Sequence, residues 1–243
     1  MKRILTVELG RTSYGECWDL QRRVFALRSA NAVQDLLLLT EHDPVYTIGT
    51  SGDDNHLLAR PEELVQRGVT VVHNDRGGDI TFHGPGQLVG YPILDLGGYY
   101  RDLHRYLHDL EEVVIRSLAH FGIPAGRMEG YTGVWVGQEK ICAIGVKSSR
   151  WITMHGFALN VATDLSFFGR IIPCGIFEKG VTSMEAVLGR SIGAEEVTKA
   201  VIEQFGGVFG TVMERMERRE LIRTVGLHRE QEICTVRPGA LQQ

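Results

Sequence analysis

Short apolar runs that follow one another with only brief turns are the feature that most limits how this chain can fold. Runs typical of β-strands cover residues 3–9, 36–40, 45–49, 69–73, 88–94, 134–136, 141–146 and 153–161. Patterns typical of helices cover residues 13–30, 99–121 and 194–205. Because several strands are adjacent without a helix between them, the sequence predicts an α+β domain whose helices pack on a mixed or antiparallel sheet.

The clearest helical pattern lies between residues 99 and 121. Its apolar residues recur at spacings of three and four and define one face: Leu103, Leu107, Leu110, Val114, Leu118 and Phe121. His104, His108 and Glu112 lie beside that face at a spacing that would suit zinc. A solvated flank next to a buried stripe is the commoner origin of such a pattern, so no metal site is predicted.

Composition removes several classes of protein. The chain has 243 residues, of which 43% are hydrophobic and 23% charged, as in an ordinary globular protein with a sizeable core. A net charge of −4 disfavours a dedicated nucleic-acid binder. The sequence has no stretch that approaches the ~20 apolar residues needed to cross a bilayer, and its first residues do not resemble a secretory signal. We therefore expect neither nucleic acid nor membrane among its partners.

The cysteines are typical of a protein from a reducing compartment. Cys17, Cys142, Cys174 and Cys234 are too few and too dispersed for a disulfide framework, and no pair has the spacing of zinc ligands. They are predicted to be free thiols, and the predicted location is cytoplasmic.

Glycine is abundant, yet the sequence lacks the common nucleotide-binding motifs. Residues 84–90 come nearest to a dinucleotide fingerprint, but their last glycine is one place late and they precede a strand instead of a helix. Lys147 and Ser148 follow Val146 where a P-loop needs glycine. The Gly-x-Ser-x-Gly pattern of α/β-hydrolases is also missing from the sequence. No cofactor is predicted.

Two glycine-rich segments carry the groups most suited to chemistry. The first is residues 76–87, RGGDITFHGPGQ, and the second is residues 171–176, IIPCGI. In the first, adjacent glycines would let the backbone approach a bound group, with Arg76 and His83 as polar contacts. A hairpin or bulge that needs glycine explains the same composition equally well.

Cys174 is the candidate nucleophile. Pro173 restricts the chain before it and Gly175 gives access after it, which would place the thiol on a fixed turn. A thiol in apolar surroundings is inert, so reactivity requires a charged partner from elsewhere in the fold. Lys140, which opens the apolar run 141–146, is the best candidate, although a strand-end lysine that reaches water explains its position as well.

Together these segments resemble the octanoyl-carrier-protein:protein octanoyltransferases of lipoate biosynthesis. The matching segments follow the order of that family: residues 76–87, 133–136, 140–146, 153–160, 173–176 and 181–183. The resemblance implies the α+β fold shared by biotin and lipoate protein ligases, in which a curved mixed sheet is flanked by helices. A single domain over residues 1–243 is expected, with a catalytic core of roughly 30–213 and a charged, polar tail over 214–243.

The same resemblance implies which residues react and which contact substrate. Cys174 and Lys140 correspond to a catalytic Cys/Lys dyad. The implied substrate contacts are Arg76, Gly77, Gly78, Asp79, Ile80, Thr81, Phe82, His83, Ala143, Ile144, Gly145, Gly156, Phe157 and Ala158. Cys142 stands where a small residue such as alanine is expected, and by strand periodicity it would share a face with Lys140, which makes it a rival nucleophile.

The implied activity is transfer of an octanoyl group from octanoyl-acyl carrier protein, through a Cys174 thioester, to a lysine of a lipoyl domain. The implied acceptors are the lipoyl domains of 2-oxoacid dehydrogenases and the glycine cleavage H protein. Because such partners are typically acidic, Arg150, Arg170 and Lys179 are candidates for a basic docking patch. Three alternatives stay open: an ATP-dependent lipoate or biotin ligase on the same fold, a protein-to-protein octanoyl amidotransferase, and a non-catalytic module that binds acylated carriers.

Overall fold

The computed structural model describes residues 2–172 and 179–226 of the chain. Its strands are β1 (Lys2–Thr12), β2 (Asp35–His42), β3 (Val45–Ile48), β4 (Thr70–His73), β5 (Ile80–His83), β6 (Gln87–Ile93), β7 (Gly126–Met128), β8 (Tyr131–Val136), β9 (Glu139–Ser149), β10 (Ile152–Asn160), β11 (Gly180–Val181) and β12 (Thr211–Arg215). Its α-helices are α1 (Tyr14–Ser29), α2 (Pro61–Gln66), α3 (Leu103–His120), α4 (Met184–Leu188), α5 (Ala194–Phe209) and α6 (Arg218–Thr224). Short 3₁₀ helices cover Asp54–His56, Leu96–Gly98 and Leu165–Arg170.

A mixed nine-stranded sheet forms the larger layer. Its order is β12-β1-β2-β6-β10-β9-β8-β7, and β11 also pairs with β9. β1 runs parallel to both β2 and β12, whereas neighbours from β2 across to β7 are antiparallel. The predicted α+β class with a mixed sheet is confirmed.

Helices cover both faces of this sheet, and β2 shows why. Leu37 and Leu39 belong to the core cluster that contains residues of α3 and α5. Leu36 and Leu38 belong to a second cluster, which contains residues of α1 and α6. Successive strand side chains point to opposite faces, so an unbroken leucine run needs apolar cover on both sides.

A second sheet of three strands, in the order β4-β3-β5, stands beside the first. Its own core contains Tyr46, Ile80, Phe82 and Ile171. β5 lies inside the glycine-dense segment, where the sequence analysis predicted a hairpin or a close approach to ligand. β5 and the loop that precedes it bring residues 76–83 against the large sheet.

Helix α3 follows the predicted pattern only along part of its length. Leu110, Val114 and Leu118 are buried in the core as predicted. Leu103 and Leu107 line a cavity instead, and Tyr106 is the residue buried in the first turns. No helix within the two described ranges is long and apolar enough to cross a membrane.

The first and last strands of the described chain are neighbours in the large sheet. β12 pairs in parallel with β1, and α6 buries Leu221 and Ile222 against the same layer. The core boundary expected near residue 213 falls inside β12, while β1 and α1 precede the boundary expected near residue 30. Pairing between strands from opposite ends of a chain leaves no local sequence pattern. Residues 227–243 lie outside the described ranges.

Candidate active site

A cavity of about 1180 Å³ opens where the small sheet meets the large one. Its walls combine the loop that precedes β5, the middle of β9 and the second half of β10. The predicted substrate contacts that line it are Arg76, Gly77, Gly78, Asp79, Ile80, Thr81, His83, Ala143, Ile144, Gly145, Gly156, Phe157 and Ala158. Segments that lie far apart in sequence therefore meet around one space.

Phe82 is the predicted contact that does not line this cavity. Its side chain is buried and stacks on Phe167, with ring centroids 4.4 Å apart. Successive residues of a strand face opposite sides. β5 accordingly directs Thr81 and His83 to the cavity and Phe82 into the core of the small sheet.

Glycine lets the loop that precedes β5 lie directly on β9. Gly77 donates its backbone N–H to Val146 O at 2.9 Å. A Cβ on Gly145 would lie 2.8 Å from Gly77 O, closer than a side chain tolerates. The close approach that these glycines permit is therefore between two backbone segments of the protein.

Arg76 places a buried positive charge in the cavity wall. Its Nη2 donates to Thr47 O at 2.6 Å and to Thr47 Oγ1 at 3.0 Å, and its Nη1 donates to Gly77 O at 3.1 Å. Hydrogen bonds from a charged donor are strong, so they offset part of the cost of burying the guanidinium. These hydrogen bonds hold the loop in its conformation and at the same time stabilise the buried guanidinium.

Lys140 lines the same cavity at the start of β9. Its Nζ lies 4.8 Å from the centroid of the Trp135 ring, a cation–π arrangement. Gly133, on the neighbouring strand, has a φ of 123°, and a Cβ there would lie only 2.6 Å from Cys142 O. The structure thus holds the lysine, half-buried, against the cavity wall.

Cys174 lies outside the described residues, so its distance from Lys140 stays a prediction. The chain on either side of it is described. Ile172 lines the cavity before it, and Lys179 and Val181 line the cavity after it. Val181 pairs directly with Lys140 where β11 meets β9.

Cys142, the rival nucleophile, lies in the core. Its side chain is buried in the cluster that includes Leu110 and Val134, and burial raises the pKa of its thiol far above the usual value. A thiol that keeps its proton is a poor nucleophile. The register between β8 and β9 shifts at Val134, so the expected common face of Cys142 and Lys140 is wrong.

Sequence reasoning missed one charged cluster at the cavity. His155 lines it, is buried, and has a φ of 59°. Its Nε2 lies 2.7 Å from Asp75 Oδ1, and Lys147 Nζ donates to Asp75 Oδ2 at 2.5 Å. Burial lowers the pKa of His155, against the opposing effect of Asp75. The available signal was the position of His155 directly before the predicted contact Gly156.

On α3, His108 and Glu112 make ordinary polar contacts with other side chains of the helix. His108 Nδ1 lies 3.2 Å from Glu111 Oε2, and Glu112 accepts from Arg116 Nε at 2.8 Å. Within residues 2–172 and 179–226, no group of three or more His, Cys, Asp or Glu side chains is placed to hold a metal ion.

The residues predicted to form a basic patch have different surroundings. Arg150 occupies the turn between β9 and β10 with a φ of 51°. Arg170 pairs with Glu63 at 2.8 Å. Of the three, Lys179 is the one that lines the cavity, where its ammonium contacts Gln138.

Comparison with known proteins gives consistent matches over most of the chain. The model of the lipoyl protein ligase A/B catalytic domain matches residues 13–206. An octanoyltransferase from Rubrobacter xylanophilus is 56% identical over 203 residues, which cover 83% of this chain and 91% of that protein. An octanoyltransferase from Flavobacterium johnsoniae is 46% identical over 225 residues, which cover 86% of this chain and 97% of that protein.

Solved structures confirm the predicted ligase-like fold. A bi-partite lipoate protein ligase from Thermoplasma acidophilum superposes with a TM-score of 0.70 at 17% identity, covering 93% of this chain and 91% of that one. At so low an identity the likeness shows the fold alone.

Proposed function

Because the chain belongs to the lipoyl protein ligase A/B catalytic-domain family, we propose that it transfers an octanoyl group from octanoyl-acyl carrier protein to a lysine of a lipoyl domain. Two octanoyltransferases match more than four fifths of the chain at 56% and 46% identity, so it is an acyltransferase. The observation that carries the proposal is the single cavity shared by Lys140 and the substrate-contact segments.

In the first step, the Cys174 thiolate attacks the carbonyl carbon of the carrier's octanoyl thioester. The tetrahedral intermediate collapses, the bond to the carrier's sulfur breaks, and that thiolate leaves and takes up a proton. One thioester replaces another, so the step is nearly balanced in energy and needs no ATP. Lys140 serves this step because a nearby ammonium stabilises a thiolate.

In the second step, the amine of the acceptor lysine attacks the enzyme's thioester. The carbon–nitrogen bond forms, the amine loses a proton, and the Cys174 thiolate departs. The product is an amide, which makes this step strongly favourable. Lys140 relays the proton between the amine and the departing sulfur.

The acyl chain requires an apolar slot in the cavity. Ala143, Ile144, Phe157 and Ala158 contribute apolar side chains to its wall. Each buried methylene contributes about 0.8 kcal/mol, so several together supply roughly 5 kcal/mol of binding free energy. The depth of this slot sets the preferred chain length.

Intact-protein mass spectrometry tests the proposal most directly. The protein is mixed with octanoyl-acyl carrier protein in the absence of ATP and acceptor. We expect one octanoyl adduct that maps to Cys174 and is removed by hydroxylamine. Cys174→Ser should lose the adduct, whereas the matched Cys142→Ser, which changes a thiol buried in the core, should keep it.

Other outcomes would identify a different chemistry. An adduct on Cys142 would identify Cys142, and not Cys174, as the nucleophile. Labelling that needs free octanoate and ATP would show a ligase on the same fold. If Cys174→Ser still supports octanoyl transfer to lipoyl domains, the covalent mechanism is wrong.

A further inference from the structure

A chain of buried hydrogen bonds joins the loop that precedes β5 to the strand that carries Lys140. Every side chain in it is at least nine-tenths buried. Its links are Thr47 Oγ1 to His83 Nε2 (3.4 Å), His83 Nδ1 to Gln87 Oε1 (2.8 Å), Gln87 Nε2 to Asn160 Oδ1 (2.9 Å), Asn160 Nδ2 to Thr182 O (3.0 Å) and Thr182 N to Lys140 O (3.0 Å).

Two backbone carbonyls fix the direction of this chain. A carbonyl oxygen only accepts, so the amide nitrogen of Asn160 must face Thr182 O, and the amide nitrogen of Gln87 must face Phe82 O at 3.1 Å. Neither amide can be flipped without setting oxygen against oxygen. The amide oxygen of Gln87 therefore faces His83, and His83 Nδ1 must carry the hydrogen.

Arg76 fixes the other end of the chain. Its Nη2 donates to Thr47 Oγ1 at 3.0 Å, which leaves the hydroxyl hydrogen to point at His83 Nε2. Burial lowers the pKa of His83 to about 3, with His42 adding to the effect, so the ring is neutral at pH 7. All donors then run one way, from Arg76 to the backbone of Lys140.

We propose that Gln87 and Asn160 are positioning residues of the acyl-transfer site. They hold His83 in the Nδ1–H tautomer, and through Thr182 they fix the strand that carries Lys140 relative to the loop that carries Arg76. The catalytic part of this inference rests on the proposed function, whereas the tautomer does not. A fully satisfied buried network admits one geometry, which is what reacting groups on separate strands require.

The tautomer of His83 is measured in the full-length protein by long-range ¹H–¹⁵N correlation. The spectrum of His83→Gln assigns the signal. We expect a protonated Nδ1 and an unprotonated Nε2 at pH 7, unchanged at pH 5. An Nε2–H ring, or a ring that takes up a proton above pH 5, would overturn the proposal. This readout needs no substrate, so it stands apart from any failure of the acyl-transfer mechanism.

Two variants of Gln87 break the chain in different ways. Gln87→Glu keeps an acceptor for His83 but adds a charge and loses the donor to Asn160, so both ring nitrogens should be protonated at pH 7. Gln87→Met adds no charge and removes the acceptor, so the ring should populate both tautomers. In both, kcat should fall about tenfold while KM changes less than twofold. Gln66→Glu, at the exposed end of α2, adds the same charge elsewhere and should change neither the protonation of His83 nor kcat.

A structural role alone predicts a different result. It would lower the melting temperature of Gln87→Met and leave the His83 tautomer and kcat as in the wild type. That outcome would remove Gln87 from the site. Should Gln87→Glu fail to fold, the wild-type spectrum and Gln87→Met still decide the question.

Discussion

The ammonium of Lys140 lies 4.8 Å from the centroid of the Trp135 ring, at the cavity wall. A positive charge held there stabilises a thiolate brought to the same wall. Lys140→Ala removes the charge and leaves the ring and the strand in place. We therefore expect Cys174 to react with iodoacetamide at pH 7 about tenfold more slowly, as followed by peptide mass spectrometry.

Two comparisons make the Lys140 measurement specific. Lys199→Ala removes an exposed lysine from α5 and should leave the rate for Cys174 unchanged. Cys142, which is fully buried, should stay unmodified in every variant as long as the fold is intact. If Lys140→Ala reacts as fast as the wild type, Lys140 does not stabilise the thiolate.

For single residues, the sequence indicates which residue types belong to the site better than it indicates which way each side chain faces. Lys140 and Arg76, which the resemblance ties to local motifs, both line the cavity. The shifted register between β8 and β9, which separates Lys140 from Cys142, follows no period that a sequence displays. The hydrogen bond between Asp75, in the loop that precedes β5, and His155, in β10, joins residues eighty positions apart, and no local pattern predicts it.

The buried carboxylate of Glu111 connects α3 to β8, the strand that pairs with the one carrying Lys140. Glu111 Oε1 accepts from the backbone N–H of Gly133 at 2.9 Å, and Oε2 accepts from Arg127 Nε at 2.9 Å. The same strand, β8, carries Trp135. The helix thus positions the aromatic face on which the lysine lies.

Removal of this carboxylate should loosen β8. Glu111→Ala leaves the buried N–H of Gly133 without its acceptor, which should lower the free energy of unfolding by about 1–3 kcal/mol in urea titrations. Glu111→Gln keeps an amide oxygen as acceptor and should lose less than half as much. Glu203→Ala, exposed on α5, should change it by no more than about 0.5 kcal/mol. Equal losses for Ala and Gln at Glu111 would contradict an anchoring role.

Elements were predictable where a local apolar pattern marks them. The period of α3 and the apolar run of β9 are long enough to be read locally. β7, β11 and β12 cover 126–128, 180–181 and 211–215, and each exists because a distant strand offers a partner. β5 was hidden for another reason, since its neighbours are glycines typical of turns.

On the scale of the molecule, the site lies at the joint between the two sheets, meaning the place where the loop that precedes β5 contacts β9. The loop that precedes β5 supplies Arg76 and β5 supplies His83, whereas the large sheet supplies Lys140 and the apolar slot. The sequence indicated the glycines that allow this arrangement, but it left open whether they serve a bound group or a turn. The surface that Gly77 meets, the backbone of β9, belongs to a segment almost seventy positions away and is defined only once both sheets form.

Gly145→Ala tests whether activity depends on that joint. The added Cβ would lie 2.8 Å from Gly77 O and 3.1 Å from Arg76 Cδ, so the loop must move away from β9. We expect octanoyl transfer to a lipoyl domain to fall about a hundredfold, because the displaced loop forms one wall of the cavity. The melting temperature should fall by only a few degrees, since the two large core clusters are untouched.

Gly126→Ala is the matched control, because its Cβ would meet no atom within 4 Å, and it should behave as the wild type. Full activity in Gly145→Ala would mean that the loop can leave β9 without disturbing the reacting groups, and the two sheets would then act independently.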